Sequence, residues 1–343
     1  MARVGIVGGG AFGTAMCCVL RRHGHDVRLW AREAEVVAAI NRDRINPTFL
    51  PGVPLPDGIA ATQDLAAAAS EAAFVLLAPP AQYTRALTAR LRAHLPAGVP
   101  VITCSKGMER DTGALMSQVI GETLPEAPLA ALSGPSFAAE IASERPAGVT
   151  LACADPVLGA WLEGEIDGPR FRAYLTDDVV GTQLGGVMKN VLAIACGIVT
   201  GRRLGNSMRA MLVARGLAET VDLGLALGAR LETFLGLSGI GDIDLSCNSP
   251  QSRNMSLGIA LGEGRELAEV LAGRITVQEG VHSASAVAAL AQRLGIDMPI
   301  TAMVDRLLNR GATPDDEIER LLALPSGVER AVVPWLRRAA AAG

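Results

Sequence analysis

The stretch that most constrains this chain is Gly8-Gly9-Gly10-Ala11-Phe12-Gly13, which follows the apolar run Val4 to Val7 and opens a helix-compatible segment near Thr14. Gly8, Gly10 and Gly13 occupy the glycine positions of G-x-G-x-x-G. Between a strand and a helix, such glycines permit a tight turn, close approach of a pyrophosphate to the backbone, and tight helix-to-strand packing. The helix N-terminus adds free N–H groups and the positive end of a dipole. A chain that begins this way is directed toward a βαβ unit with a dinucleotide at the carboxyl edge of its strands.

The pattern that follows fits. Val4 to Val7, Val27 to Trp30, Phe74 to Ala78, Val101 to Cys104 and Leu129 to Leu132 read as buried strands separated by helical segments, and Gly148 to Ala152 and Phe171 to Leu175 are further candidates. From Asp178 onward strand signals nearly vanish, and helices are expected over Val179 to Val199, Met208 to Leu227, Ser283 to Leu294 and Ala302 to Leu308. The expected fold is an α/β Rossmann-type N-terminal domain with a mostly parallel sheet (residues 1–177), followed by an all-α domain (residues 178–343). Thr176 or Asp177 is the expected cap of the first long helix. The alanine-rich tail Ala331 to Gly343, interrupted by Pro334, is expected to be loosely ordered.

Composition narrows the function. A net charge of −4 and 3% aromatic residues, with no basic stripe, leave a nucleic-acid partner without its usual footprint. The longest unbroken apolar stretch, Val191 to Val199, is shorter than the ~20 residues of a membrane span, and the chain starts directly on a strand pattern, so no membrane segment and a cytoplasmic location are expected. Six cysteines, mostly inside apolar runs and without a C-x-x-C pair, read as reduced core residues, and no metal site is expected. An apolar helical half is compatible with a homodimer.

Of 31 basic residues only Lys106 and Lys189 are lysine. Lysine, unlike arginine, can lose its proton near neutral pH when its surroundings depress its pKa. Lys106 follows a strand, in Cys104-Ser105-Lys106-Gly107, where ligands collect in open α/β sheets. Lys189 lies in a helix that is apolar nearly all round, where a desolvated ammonium becomes a candidate general acid or base. At the end of the second strand stands Arg32, suited to a 2′-phosphate and favouring NADP(H), while the adjacent Glu33 leaves NAD(H) open. Ser252-Arg253-Asn254 gathers hydroxyl, guanidinium and amide donors of the kind a phosphate recruits.

Taken together, Gly8 to Thr14, Leu29 to Arg32, Ser105-Lys106-Gly107, Ser133 to Ala138, Lys189-Asn190, Arg215 to Glu219, Gly241-Asp242 and Gln251 to Asn254 resemble bacterial NAD(P)-dependent glycerol-3-phosphate dehydrogenases. The resemblance implies reversible reduction of dihydroxyacetone phosphate to sn-glycerol 3-phosphate, feeding glycerophospholipid synthesis. By position it makes Lys189 the proton-transfer residue. It makes Lys106, Gly134, Ser136, Asp242, Ser252, Arg253 and Asn254 substrate contacts, and Ala11, Phe12, Arg32, Lys106, Ala138, Arg253, Val277 and Glu279 cofactor contacts. Two places depart from the family pattern: Ser207, where asparagine is frequent, and Ala78-Pro79-Pro80. A two-domain dehydrogenase for a hydroxy acid and a non-catalytic NADP(H) sensor are the competing readings. The phosphate-suited Ser252 to Asn254 run counts against the first, and the costly buried Lys189 against the second.

Overall fold

In a computed structural model, residues 1–273 and 278–325 are described. Val277 and the alanine-rich tail therefore lie outside the described residues. The described residues form ten strands: β1 (Arg3–Val7), β2 (Asp26–Trp30), β3 (Ile45–Asn46), β4 (Leu50–Pro54), β5 (Ile59–Thr62), β6 (Phe74–Leu77), β7 (Val101–Thr103), β8 (Leu129–Ser133), β9 (Ala147–Cys153) and β10 (Phe171–Thr176). Eight form one sheet in the order β10-β9-β8-β7-β6-β1-β2-β5, parallel except where β9 meets β8. Strand alternation places Val4, Ile6, Phe74 and Leu76 in one buried cluster and Val7, Val75 and Leu77 in another, one on each face of the sheet.

β5 and the β3–β4 hairpin are not expected from sequence. The run Ile59-Ala60-Ala61-Thr62 is half alanine, a weak strand former, and holds its place by parallel pairing with β2. β4 contains Pro51, Gly52 and Pro54, which argue against a strand except in a short ribbon such as this one. That hairpin has a purpose at the glycine turn. Buried Asn46 donates to the Gly9 carbonyl at 2.9 Å and to Thr14 Oγ1 at 2.8 Å, clamping the turn from outside the sheet.

Helix α1 (Ala11–Arg22) follows the glycine turn and α2 (Ala34–Asp43) follows β2. Beyond β10 the described residues are helical: α3 (Val179–Gly201), α4 (Gly205–Ala226), α5 (Asp242–Asn248), α6 (Arg253–Gly262), α7 (Glu279–Leu294) and α8 (Pro299–Asn309) bear on the site. The cap of α3 is Asp178, one residue beyond the expected pair. Its Oδ1 accepts from Gly181 N–H at 2.8 Å, and its Oδ2 accepts from Arg230 N–H and the Thr233 hydroxyl. Asp178 is selected because it alone of the three carboxyl and hydroxyl candidates is buried where a second segment needs an acceptor. At 23 residues, α3 is long and apolar enough to cross a bilayer, but 83% of its most apolar window is buried inside the protein.

α3 and α6 cross at glycines. A Cβ on Gly197 would lie 2.8 Å from Gly258 Cα, and one on Gly258 would lie 2.1 Å from the Ile194 carbonyl oxygen. Because the obstruction is backbone, a side chain there must push the helices apart. Gly258→Ala is expected to cost about 2–3 kcal/mol in denaturant unfolding. Equal stability of variant and wild type would contradict this packing.

A buried carboxyl ties α4 to α8. Glu219 accepts from Ile300 N–H at 2.7 Å and from the Thr301 N–H and hydroxyl at 3.1 and 2.9 Å, so it serves the orphan donors of the α8 N-terminus. Burial nonetheless pushes its pKa up to about 7, against the lowering effect of those bonds. A folded-state pKa above the unfolded one means that the native state binds the proton more tightly. The associated stability is full below pH ~4.5 and is lost as pH rises to about 7, up to ~3 kcal/mol in all. Unfolding free energy measured across that window should carry this slope in wild type, and Glu219→Gln should remove it.

Candidate active site

The glycine turn is built for close contact. Gly8 adopts φ 129°, and a Cβ there would lie 2.7 Å from the Ala78 carbonyl carbon, while one on Gly13 would lie 2.0 Å from the Gly8 carbonyl oxygen. Gly10 caps α1 without a side chain, and α1 carries no acidic residue in its first turn. The first-turn amides of Ala11, Phe12 and Gly13 thus present an uncompensated positive end at the carboxyl edge of β1. Arg32 and Glu33 stand beside this turn after β2. They pair with each other, Arg32 Nη2 to Glu33 Oε1 at 2.6 Å, on an exposed rim.

The two lysines meet on one carboxylate. Lys106, on the loop after β7, donates to Asp242 Oδ2 at 2.5 Å and to the Gly134 carbonyl at 2.7 Å. Lys189, on α3, lies 3.3 Å from Asp242 Oδ1 and donates to the Ser246 hydroxyl at 3.0 Å. Asp242 is 1% exposed and Lys189 14%, so the charges interact in a poorly solvated setting. Burial lowers the Lys189 pKa below the ordinary lysine range. The Lys106 and Arg253 charges push the same way, while Asp242 opposes them. The result is an ammonium that remains paired yet gives up its proton more readily than a surface lysine.

Local structure explains this convergence. Gly186 gives α3 room for Lys106, since a Cβ there would lie 3.2 Å from Lys106 Cγ and 2.7 Å from Ser133 Oγ. Asp242 opens α5 directly after the non-helical turn at Gly239 (φ −99°, ψ −107°), and a Cβ on Gly239 would overlap the Phe234 backbone. Gly134 takes φ 142° at the end of β8, turning its carbonyl to Lys106; Ser136 Oγ donates to the same carbonyl at 2.9 Å. Ala138 begins the next helix, Ala138–Ala142.

Further groups close around the cluster. Ser252 caps α6, its hydroxyl accepting from Met255 N–H at 3.3 Å, so the hydroxyl hydrogen stays available. Asn254 donates to Asn190 Oδ1 at 2.7 Å, and Asn190 donates to the Lys106 carbonyl at 2.8 Å. Glu279 opens α7. Its Oε1 accepts from Ala81 N–H at 2.9 Å, and its Oε2 is a buried acceptor with no hydrogen-bond partner among the described residues. Burial raises the Glu279 pKa, and the hydrogen bond from Ala81 N–H and then the Arg253 charge oppose the rise. Lys106, Gly134, Lys189, Asp242 and Asn254 are thus in one connected site, with Ser252 and Arg253 at the helix start that carries Asn254. Arg32 lies apart from it, beside the glycine turn.

Sequence reading misses Ser246. Its signal is the spacing: Ser246 lies four residues after Asp242 in a short helix, hence on the same face. Asn190, placed only as a neighbour of Lys189, proves to fix the Lys106 backbone.

Comparisons with known proteins bear on the family of the chain. The family model for the N-terminus of NAD-dependent glycerol-3-phosphate dehydrogenase matches residues 3–158, and that for its C-terminus matches residues 178–319. A relative from Parvibaculum lavamentivorans, named glycerol-3-phosphate dehydrogenase (NAD(P)+), is 50% identical over 94% of this chain and 97% of its own. One of the same name from Rhodospirillum rubrum is 52% identical over 95% of this chain and 93% of its own. The crystal structure of glycerol-3-phosphate dehydrogenase from Coxiella burnetii superimposes with a TM-score of 0.90 at 36% identity, covering 94% of this chain and 99% of that one. The chain belongs to the NAD-dependent glycerol-3-phosphate dehydrogenase family.

Proposed function

We infer that this chain interconverts dihydroxyacetone phosphate and sn-glycerol 3-phosphate with NAD(P)(H), with Lys189 as the proton-transfer residue. The observation that carries the reading is the Lys106–Asp242–Lys189 cluster, two ammonium groups on one buried carboxylate beside a dinucleotide-type glycine turn. Residues 1–177 serve as the dinucleotide-binding domain and residues 178–343 as the substrate-binding domain. The glycine cradle fits a pyrophosphate, because side chains at Gly8 and Gly13 would fill it. Ala11 and Phe12 amides would hold the phosphates, Arg32 the adenosine side, and Ala138, Arg253 and Glu279 the nicotinamide side, where Glu279 Oε2 is an orphan acceptor among the described residues.

When bound, the reduced nicotinamide supplies the hydride to the ketone carbon. The Lys189 ammonium gives its proton to the oxygen that becomes negative, and in the reverse direction the neutral amine takes the hydroxyl proton. Lys106 adds a second positive charge at that oxygen, and Asp242 orients both amines. The substrate phosphate is assigned to the α6 N-terminus, where backbone N–H groups, the Ser252 hydroxyl, Arg253 and Asn254 converge. Gly134 and Ser136 border the carbon end. In the cell, this activity in the cytoplasm would supply glycerol 3-phosphate for glycerophospholipids, and a homodimer is the assembly we favour.

The test is direct. Purified protein with NADPH and dihydroxyacetone phosphate should lose the absorbance of the reduced nicotinamide and form sn-glycerol 3-phosphate. Turnover of a 2-keto acid instead, with none of the phosphorylated ketone, would overturn the reading.

A further inference from the structure

One side of α3 and the segment Arg230 to Asp242 run along each other and end at two groups that face each other in the site. Asp178, Gly181, Gly185 and Lys189 follow at three- or four-residue spacing, hence on one side of the helix. At the start of this stripe Asp178 is 7% exposed. Besides capping Gly181 N–H through Oδ1, it accepts at Oδ2 from Arg230 N–H at 2.9 Å and from the Thr233 hydroxyl at 2.6 Å. Gly181 leaves room for this junction, since a Cβ there would lie 2.3 Å from Asp178 Oδ2 and 3.0 Å from Thr233 Cγ2. One turn on, a Cβ on Gly185 would lie 2.0 Å from the Ser238 carbonyl oxygen, so the backbone of the segment rests on the helix itself. Between these points Phe234 is fully buried, and the Gly236 carbonyl accepts from Gly239 N–H at 3.3 Å and from Gly241 N–H at 3.2 Å. The next residue is Asp242, whose Oδ1 lies 3.3 Å from Lys189 Nζ.

We propose that Asp178 is a positioning residue for the reaction: through the turn it anchors on α3, it fixes how far Asp242 stands from Lys189. The inference deepens the dehydrogenase reading above and rests on it for its effect on turnover. Lys189 is carried by a long helix, whereas Asp242 is reached along a path with glycine at 236, 239 and 241 and a non-helical turn at Gly239. Such a path has little stiffness of its own and takes its place from contacts. Hydrogen bonds to a carboxylate are stronger than those between neutral groups, and two of them hold the path where it begins. The Arg230 guanidinium beside them is paired with Asp177. Losing the Asp178 bonds lets Asp242 drift from Lys189 while every group that touches the site stays in the chain. The other charges near Lys189, those of Lys106 and Arg253, are positive and sit on other elements, so Asp242 is the charge that stabilises the ammonium. The Cys247 thiol, pushed up by its hydrogen bond with Cys196 and by burial, stays neutral.

Because Lys106 and Lys189 are the chain's two lysines, the full-length protein grown with lysine isotopically labelled at Cε gives one resonance for each, and Lys189→Arg assigns them. Their titration by NMR, recorded without substrate, reads the surroundings of Lys189 directly. Asp178→Ser keeps a helix cap but has no second oxygen for Arg230 and Thr233, and Thr233→Val removes one of the two bonds. Asp178→Ser is expected to lower the Lys189 midpoint by about half a unit or more, and Thr233→Val to lower it by less. The alkaline limb of kcat/KM for dihydroxyacetone phosphate should move to lower pH by the same amounts. Thr233→Ser, which keeps the hydroxyl, should hold the wild-type midpoint. Either Asp178→Ser or Thr233→Val at the wild-type midpoint overturns the proposal, even with a lower unfolding temperature, since that result assigns the junction to stability alone. A Thr233→Ser shift equal to that of Thr233→Val also overturns it, by tracing the effect to lost packing. If Asp178→Ser does not fold, the two Thr233 variants decide by the same criterion. If the wild type leaves NADPH unoxidised with dihydroxyacetone phosphate, the dehydrogenase reading falls, and the titration still decides whether Asp178 places Asp242.

Discussion

Lys189→Arg is expected to lower kcat for dihydroxyacetone phosphate reduction by about a thousandfold, with unfolding midpoint and NADPH affinity near wild-type values. The variant keeps a positive charge 14% exposed on α3, so what it removes is the exchangeable proton. General acid–base catalysis contributes about 10²–10⁴ in rate, and no other lysine, histidine or tyrosine takes part in the site's hydrogen-bond network among the described residues apart from Lys106. Lys106 cannot substitute in place, because its ammonium is committed to Asp242 and the Gly134 carbonyl. Rapid-mixing measurement of NADPH oxidation in a single turnover reports the chemical step itself. A variant within threefold of wild type would remove Lys189 from the proton path.

Asp242→Asn is expected to lower kcat/KM by about a hundredfold or more and to move the alkaline limb of the pH profile to lower pH. Asp242 is the counter-ion of both lysines, and leaving buried charge unpaired costs about 3–5 kcal/mol. The direction of the pH change follows from its effect on Lys189. Asp242 raises the Lys189 pKa against burial, so the neutral asparagine lets the ammonium deprotonate earlier. With the Lys189 ammonium as the acid proposed above, the rate of ketone reduction must begin to fall at lower pH. On the same proposal the reverse reaction uses the neutral amine, so its acidic limb should shift the same way. Profiles of kcat/KM in both directions, with midpoints equal to wild type, would show that Asp242 does not govern Lys189.

The lysine half of the candidate site is legible in the chain because lysine is rare there. Two lysines among 31 basic residues, one after a strand and one in an apolar helix, stand out on composition and position alone. Buried strands are equally legible, since Val4 to Val7 and Phe74 to Leu77 place neighbouring residues on opposite faces of a covered sheet. What escapes is whatever depends on tertiary partners. β5 is half alanine and gains its strand from β2, and the β3–β4 ribbon is written in prolines and a glycine. α5 and α6 are separated by Ser249-Pro250-Gln251-Ser252, and their glycines and polar residues hide helices whose stability comes from packing on α3. Ser246 and Asn46 are common residue types in ordinary settings, and only the fold brings one to Lys189 and the other to Gly9.

The central claim is that the Lys189 ammonium is the acid for ketone reduction, and the pH dependence of kcat/KM for wild type and Lys189→Arg, measured side by side with NADPH and dihydroxyacetone phosphate, tests it most directly. The wild type should lose activity as pH rises through a pKa below the ordinary lysine range, and the residual activity of the arginine variant should lack that limb. The same limb in both proteins, at comparable rates, would contradict the account.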